Sequence, residues 1–73
     1  MDTFELQLRM KINRLMLCLE KYVELAEIGG EVHRPQMACL LERLSHCHLA
    51  LRDFETAARL MDEALVMQAP SVH

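Results

Sequence analysis

The chain-breaking residues are few and stand in only two regions, which constrains the fold more than any other feature. The two glycines are adjacent, at Gly29 and Gly30, and the two prolines are Pro35 and Pro70. Helix interiors exclude proline and disfavour glycine, so the long segments on either side of the glycine pair are free to be helical throughout. The pattern predicts an all-α chain, and 73 residues allow one small domain at most.

The first segment is predicted to form one long amphipathic helix over residues 3–28. Asp2 is placed to cap its first turn, with Glu5 three residues further on as in a capping box. An apolar–polar alternation from Phe4 to Ile12 is a competing strand signal, but β-branched residues are scarce and the helix formers prevail. Apolar residues recur at steps of four and three, as on one helix face: Leu8, Ile12, Leu15, Leu19, Tyr22 and Ala26.

The middle of the chain is predicted to be a linker, residues 29–34, followed by a second helix over residues 35–51. Gly29 and Gly30 supply the left-handed conformation that ends many helices. Pro35 suits the first helical turn, where the missing N–H of a proline costs no hydrogen bond. The predicted buried face of this helix consists of Met37, Leu40, Leu41, Leu44, Cys47, His48 and Leu51.

A third helix is predicted over residues 53–68, with Asp53 as its cap and residues 69–73 as a tail. The turn at Leu51 and Arg52 is so short that the second and third helices must be antiparallel neighbours. The predicted buried face of the third helix consists of Phe54, Ala57, Met61, Ala64 and Leu65.

The stretch from Ala38 to Pro70 resembles one tetratricopeptide repeat, a helix–turn–helix unit of about 34 residues. The strongest part is "RDFETAARLMDEAL", and its small residues, Ala57 and Ala64, imply a close approach of the two helices. The residues that carry the resemblance are Leu41, Leu44, His48, Asp53, Phe54, Ala57, Met61, Ala64 and Leu65, whereas Ser45 is a tolerable departure from it. Arg52 departs from it by standing where the family has a turn glycine, which implies an unfavourable backbone conformation or a reshaped turn.

Repeats of this kind cannot bury their apolar faces alone, and three or more normally stack together. One repeat and one extra helix therefore imply neighbours from another chain. This predicts a non-enzymatic protein–protein interaction subunit, either a small adaptor or a chaperone or co-chaperone. Small helical chaperones and co-chaperones of bacterial type III secretion systems look similar in size and composition, which is a weaker analogy.

The first helix is expected to supply most of the partner contact, because its apolar residues lie on more than one side. A complex with a different protein is favoured, and a homo-oligomeric structural protein is the alternative. A third possibility is a three-helix bundle that buries both sides of the first helix by itself. Leu17 and Leu25 point away from the main stripe, as do Phe4 and Met10. The predicted partner-binding residues are Phe4, Leu8, Met10, Ile12, Leu15 and Leu19, followed by Met37, Leu40 and Leu44.

The sequence His46-Cys47-His48 is the one motif that suggests metal or catalytic chemistry. Adjacent residues on a helix point about 100° apart, so these three side chains cannot converge on one ion or form a catalytic pair. We therefore expect no enzyme, no metal site and no cofactor. A metal-responsive helical module that uses Cys and His is kept as a second alternative function.

Charge and hydropathy restrict the partners further. The net charge of −3 mixes both signs along the chain, which argues against nucleic acid as a partner. No segment approaches the roughly 18 consecutive apolar residues of a membrane span. The three cysteines, Cys18, Cys39 and Cys47, form no close pair and indicate reduced thiols and a cytoplasmic location.

Overall fold

The computed structural model describes residues 2–29 and 33–68, which form three helices. They are α1 (Thr3–Gly29), α2 (Arg34–Ala50) and α3 (Phe54–Gln68), and no strand occurs in the described residues. The all-α prediction with a long first helix is confirmed. Of the predicted linker 29–34, Gly29 ends α1 and Arg34 begins α2, while residues 30–32 lie outside the described residues, as does the tail 69–73 with Pro70.

The helix starts follow the local sequence. The backbone N–H of Phe4 donates to Asp2 Oδ1 at 3.3 Å, which confirms the predicted cap of α1. Glu5 does not complete a capping box; its Oε1 accepts instead from Arg9 Nη2 at 3.0 Å, one turn along the helix. Pro35 lies in the first turn of α2, as expected.

The turn between α2 and α3 depends on an arginine in a left-handed backbone conformation. Arg52 has φ 64°, the region that favours glycine, so the strain expected from its position is confirmed. Its N–H donates to the Leu49 carbonyl and the N–H of Asp53 donates to the His48 carbonyl, both at 2.9 Å. This pair of bonds is a Schellman motif, which satisfies the last carbonyls of α2. Asp53 then caps α3, since its Oδ1 accepts from the Thr56 N–H at 3.4 Å.

α2 and α3 form the antiparallel hairpin, and small residues line the seam between them. Ala38 and Ser45 on α2 and Ala57 and Ala64 on α3 are all buried, and each pair is seven residues apart. Ser45 Oγ donates to the Ala57 carbonyl at 2.7 Å across the seam. In an antiparallel pair this register also places Ala38 opposite Ala64. The small side chains allow the two backbones to approach closely.

α1 packs on the other side of α2 and does not pack on α3 within the described residues. The structure is 22 Å wide and 13 Å thick, and three helices side by side at about 9 Å spacing give such a width, whereas a triangular bundle would be narrower. The fold is therefore a curved single layer with α2 in the middle. Its core contains Leu15, Leu40, Leu44 and Cys47, bordered by Leu8, Ile12, Leu19, Tyr22 and Leu60.

The prediction that Phe54 and Leu65 of α3 are buried is wrong. Ala57 and Ala64 are buried and Met61 is partly buried, but Phe54 and Leu65 are 61% and 55% exposed. The last two lie to one side of the line that faces α2, and no described helix covers that side. A bundle would have covered them, but a single layer leaves them in solvent.

Candidate interaction surface

Four of the nine residues predicted to bind a partner belong to the chain's own core. Leu15, Met37, Leu40 and Leu44 are buried, and Leu44 is 0% exposed. Leu15, Leu40 and Leu44 join α1 to α2, since they form one cluster with Cys47. In this fold their side chains are already covered by the chain itself.

The other five predicted residues divide into two groups. Leu8, Ile12 and Leu19 are partly buried and pack against the same core. Phe4 and Met10 are 60% and 52% exposed. α1 has 27 residues and α2 has 17, about 40 Å against 25 Å, so α1 extends beyond α2 and Phe4 lies in the first turn of α1. Contact of these residues with a partner chain stays a prediction.

α1 carries a second apolar face that points away from α2. At about 100° per residue, Leu6, Met10 and Leu17 fall on the side opposite Leu8, Leu15 and Leu19, and Ile28 continues the line. All four are exposed, Leu17 at 61%. We call Leu6, Met10, Leu17 and Ile28 the outer face of α1.

Only Met10 of this outer face was among the predicted contact residues. Leu17 points away from the main stripe, as predicted, but it is not among the predicted contact residues, and neither are Leu6 and Ile28. The signal was present in the sequence: residues 6, 10 and 17 lie within about 40° of one another around a helix. Sorting the apolar residues of α1 by angle finds the face.

α3 carries the other exposed apolar face. Phe54, Ala58 and Leu65 are exposed and lie within about 40° of one another around the helix, and we call them the free face of α3. A shallow depression of about 330 Å³ lies further round the helix, lined by Arg59, Asp62, Glu63, Val66 and Met67. The two apolar faces therefore lie on the first and last helices of the layer: the outer face of α1 is opposite α2, and the free face of α3 is to one side of the line that faces α2.

Charged residues flank both faces. Arg14 and Lys21 lie beside the outer face of α1, and Glu55 and Asp62 lie beside the free face of α3. All four are exposed, and none has an ion-pair or side-chain hydrogen-bond partner within the described part of the chain. On this one side of each face the charges are basic on α1 and acidic on α3, while Glu24 lies in line with the outer face itself.

A polar groove of about 210 Å³ lies where α1 meets the α2–α3 turn, lined by Arg9, Ile12, Asn13, His48, Leu51 and Asp53. His48 Nδ1 lies 3.3 Å from Asp53 Oδ2, within ion-pair distance but without hydrogen-bond alignment. Hydrogen bonding from Thr56 is the main cause that holds the pKa of Asp53 below its ordinary value of 3.8, and His48 adds to it. These polar contacts belong to the cap of α3, which accounts for the polar residues that line the groove.

The cysteines and histidines form no metal site in residues 2–29 and 33–68, where no group of three metal-ligating side chains comes together. Cys47 is buried in the core, whereas His46 is exposed on the far side of α2. Cys18 and Cys39 are exposed and line one shallow groove between α1 and α2 together with Tyr22. The ring of Tyr22 packs at 5.2 Å, centroid to centroid, on that of His33.

Comparison with known proteins adds no relative: no family model, curated protein or solved structure matches the chain. The likeness to a tetratricopeptide repeat consequently depends on the residues named above. None of the described helices combines the length and the hydropathy that crossing a bilayer requires.

Proposed function

We propose that this protein is a non-enzymatic interaction subunit, an adaptor or co-chaperone whose exposed helix faces are covered by another protein chain in the cytoplasm. One observation carries the proposal: a single layer of three helices leaves one apolar face exposed on its first helix and another on its last. Large apolar side chains grouped on an exposed face mark protein interaction sites in soluble proteins.

The packing within the chain supports the proposal. α2 is covered on both sides and holds seven of the buried residues, whereas α1 has one and α3 has two. Each outer helix is therefore covered on one side only, as in a repeat array from which the neighbours have been removed. This agrees with the tetratricopeptide-like character proposed for the hairpin, in which further helices complete the core.

The sharpest test changes Leu17. Replacing it by Asp puts a charge on the outer face of α1, where 61% of the side chain is exposed, so the fold should persist while the partner is lost. Leu15→Asp would place an unpaired charge in the core and unfold the chain, so it cannot separate folding from binding. Met16→Asp is the matched control, because Met16 is also exposed but points about 100° away from Leu17.

The experiment is purification of the tagged full chain at its native level, followed by native mass measurement of the complex. We expect a defined stoichiometry with wild type and with Met16→Asp, and loss of the second component with Leu17→Asp at unchanged helix content. Equal recovery of the same component with all three proteins would contradict the proposed interface. A chain that is monomeric and alone in every preparation would contradict the proposed function.

A further inference from the structure

We propose that the chain associates head to tail with copies of itself, with the outer face of α1 of one copy packed antiparallel on the free face of α3 of the next. The inference rests on the proposed function, because it names the occupant of faces that the previous section assigns to binding. Charge, spacing and the alternating direction of the helices each support a second copy as that occupant.

The charges match in sign, spacing and side. Arg14 and Lys21 are seven residues apart on α1, and Glu55 and Asp62 are seven residues apart on α3. In an antiparallel alignment that puts Arg14 opposite Asp62, Lys21 therefore stands opposite Glu55. Viewed along each helix from its N-terminus, the charged pair lies on the same rotational side of the apolar face in α1 and in α3. When two helices pack antiparallel through their apolar faces, these two charged sides come together. Both ion pairs can therefore form at the same time.

The same alignment pairs the remaining side chains. Leu17 comes opposite Arg59, one residue past Ala58, and Met10 comes opposite Val66, one residue past Leu65. The apolar residues of the two faces therefore fall within about one residue of each other along the paired helices.

Antiparallel pairs of identical helices are less favourable. Two α1 helices packed antiparallel through their outer faces would bring Arg14 and Lys21 against the same basic side of the other copy. Two α3 helices would likewise bring Glu55 and Asp62 together. Like charges juxtaposed in an interface are strongly unfavourable, whereas the α1–α3 pairing makes all of them attractive.

The proposed contact also continues the architecture of the chain. The three helices alternate in direction, and an antiparallel α1 on α3 adds a fourth helix with the alternation preserved. Because the two faces differ, the contact is heterologous, and repetition yields rings or open stacks instead of a closed dimer. The contact leaves one face free at each end of an open stack, where a different protein can bind.

The test uses two full-length variants, Leu17→Asp and Leu65→Asp, and light scattering coupled to size exclusion over a range of concentrations. Wild type should form species larger than a dimer, and each variant alone should be monomeric. An equimolar mixture should form a one-to-one dimer, because the intact α3 of Leu17→Asp receives the intact α1 of Leu65→Asp. Met16→Asp should behave as wild type.

Charge reversal gives a second measurement. Lys21→Glu should weaken self-association about tenfold or more, and the added change Glu55→Lys in the same chain should restore it. Restoration by the second change would not occur if Lys21 and Glu55 acted separately.

Several outcomes would overturn the inference. Self-association of Leu65→Asp alone would indicate an α1–α1 interface, and self-association of Leu17→Asp alone would indicate an α3–α3 interface. A wild-type chain that stays monomeric at all concentrations, while a different protein still binds it and is lost with Leu17→Asp, would overturn head-to-tail assembly and leave the proposed function intact.

Discussion

Arg52 adopts a left-handed conformation that costs a non-glycine residue about 1 kcal/mol or more, and it does so because the Schellman motif at the end of α2 requires it. Arg52→Gly should therefore stabilise the monomer by roughly 0.5–1 kcal/mol after the larger chain entropy of glycine is counted. Urea unfolding of a monomeric background such as Leu17→Asp measures the difference. Arg52→Ala is the control, since alanine keeps the strain; equal stability of the Gly and Ala variants would contradict the account.

Asp53 makes the stability of α3 depend on pH. Hydrogen bonding from the Thr56 side chain, and then from the Thr56 backbone N–H, lowers the pKa of this carboxyl in the folded state, so ionisation favours folding. That stability is fully present above the ordinary pKa of 3.8 and is lost as the pH falls through the lower folded-state value. Asp53→Asn keeps a neutral hydrogen-bond acceptor at every pH. The difference in stability between wild type and Asp53→Asn should therefore become smaller as the pH is lowered from about 5 to about 2.

Thermal melts of both proteins at a series of pH values measure that difference. Asp53→Ala has no side-chain acceptor at any pH and should stay less stable than Asp53→Asn throughout. A constant difference between wild type and Asp53→Asn down to the lowest pH would show that the carboxylate charge has no part in the cap.

At the scale of the elements, the hairpin depends on the small residues between α2 and α3. Ala64 is completely buried, and the antiparallel register that joins Ser45 to Ala57 places it opposite Ala38. Ala64→Leu should overpack this seam and destabilise the protein by about 1–3 kcal/mol. Ala50→Leu, at an exposed position at the end of α2, should change stability by less than about 0.5 kcal/mol. Denaturant unfolding compares them, and equal effects would show that the seam tolerates larger side chains.

The helices themselves could be predicted because their signals are local. Chain breakers, the Asp2 and Asp53 caps and the position of Pro35 all act within one turn, and the observed ends lie within one residue of the predictions wherever they are described. The side of α3 that is covered could not be predicted in this way. Periodicity shows which residues form the apolar side of a helix, but it does not show where the neighbouring helices lie. Phe54 and Leu65 are therefore exposed although their spacing suggested burial.

The same reasoning applies to the candidate surface. The strongest apolar stripe on α1, from Leu8 to Leu19, is predicted to contact a partner, and in this fold it packs against the core that α1 shares with α2. The weaker face through Leu6, Met10 and Leu17 is the one left exposed. In a short chain with only one internal core, the best-formed apolar stripe is used for folding first.

For the whole molecule, folding and assembly should be coupled. A chain of this length buries only about 60% of its surface on folding, and a single layer whose two edges remain exposed buries less than a closed bundle would. Any contact that covers these edges binds the folded chain and not the unfolded one, so it must raise the melting temperature as protein concentration rises. Wild type should show this dependence, and Leu17→Asp, which cannot present the outer face of α1 to α3, should melt at one temperature from micromolar to millimolar concentration. Circular dichroism melts over that range test the coupling directly: a wild-type melting temperature that does not move with concentration would mean that the three helices are stable without neighbours and that the exposed faces contribute nothing to stability.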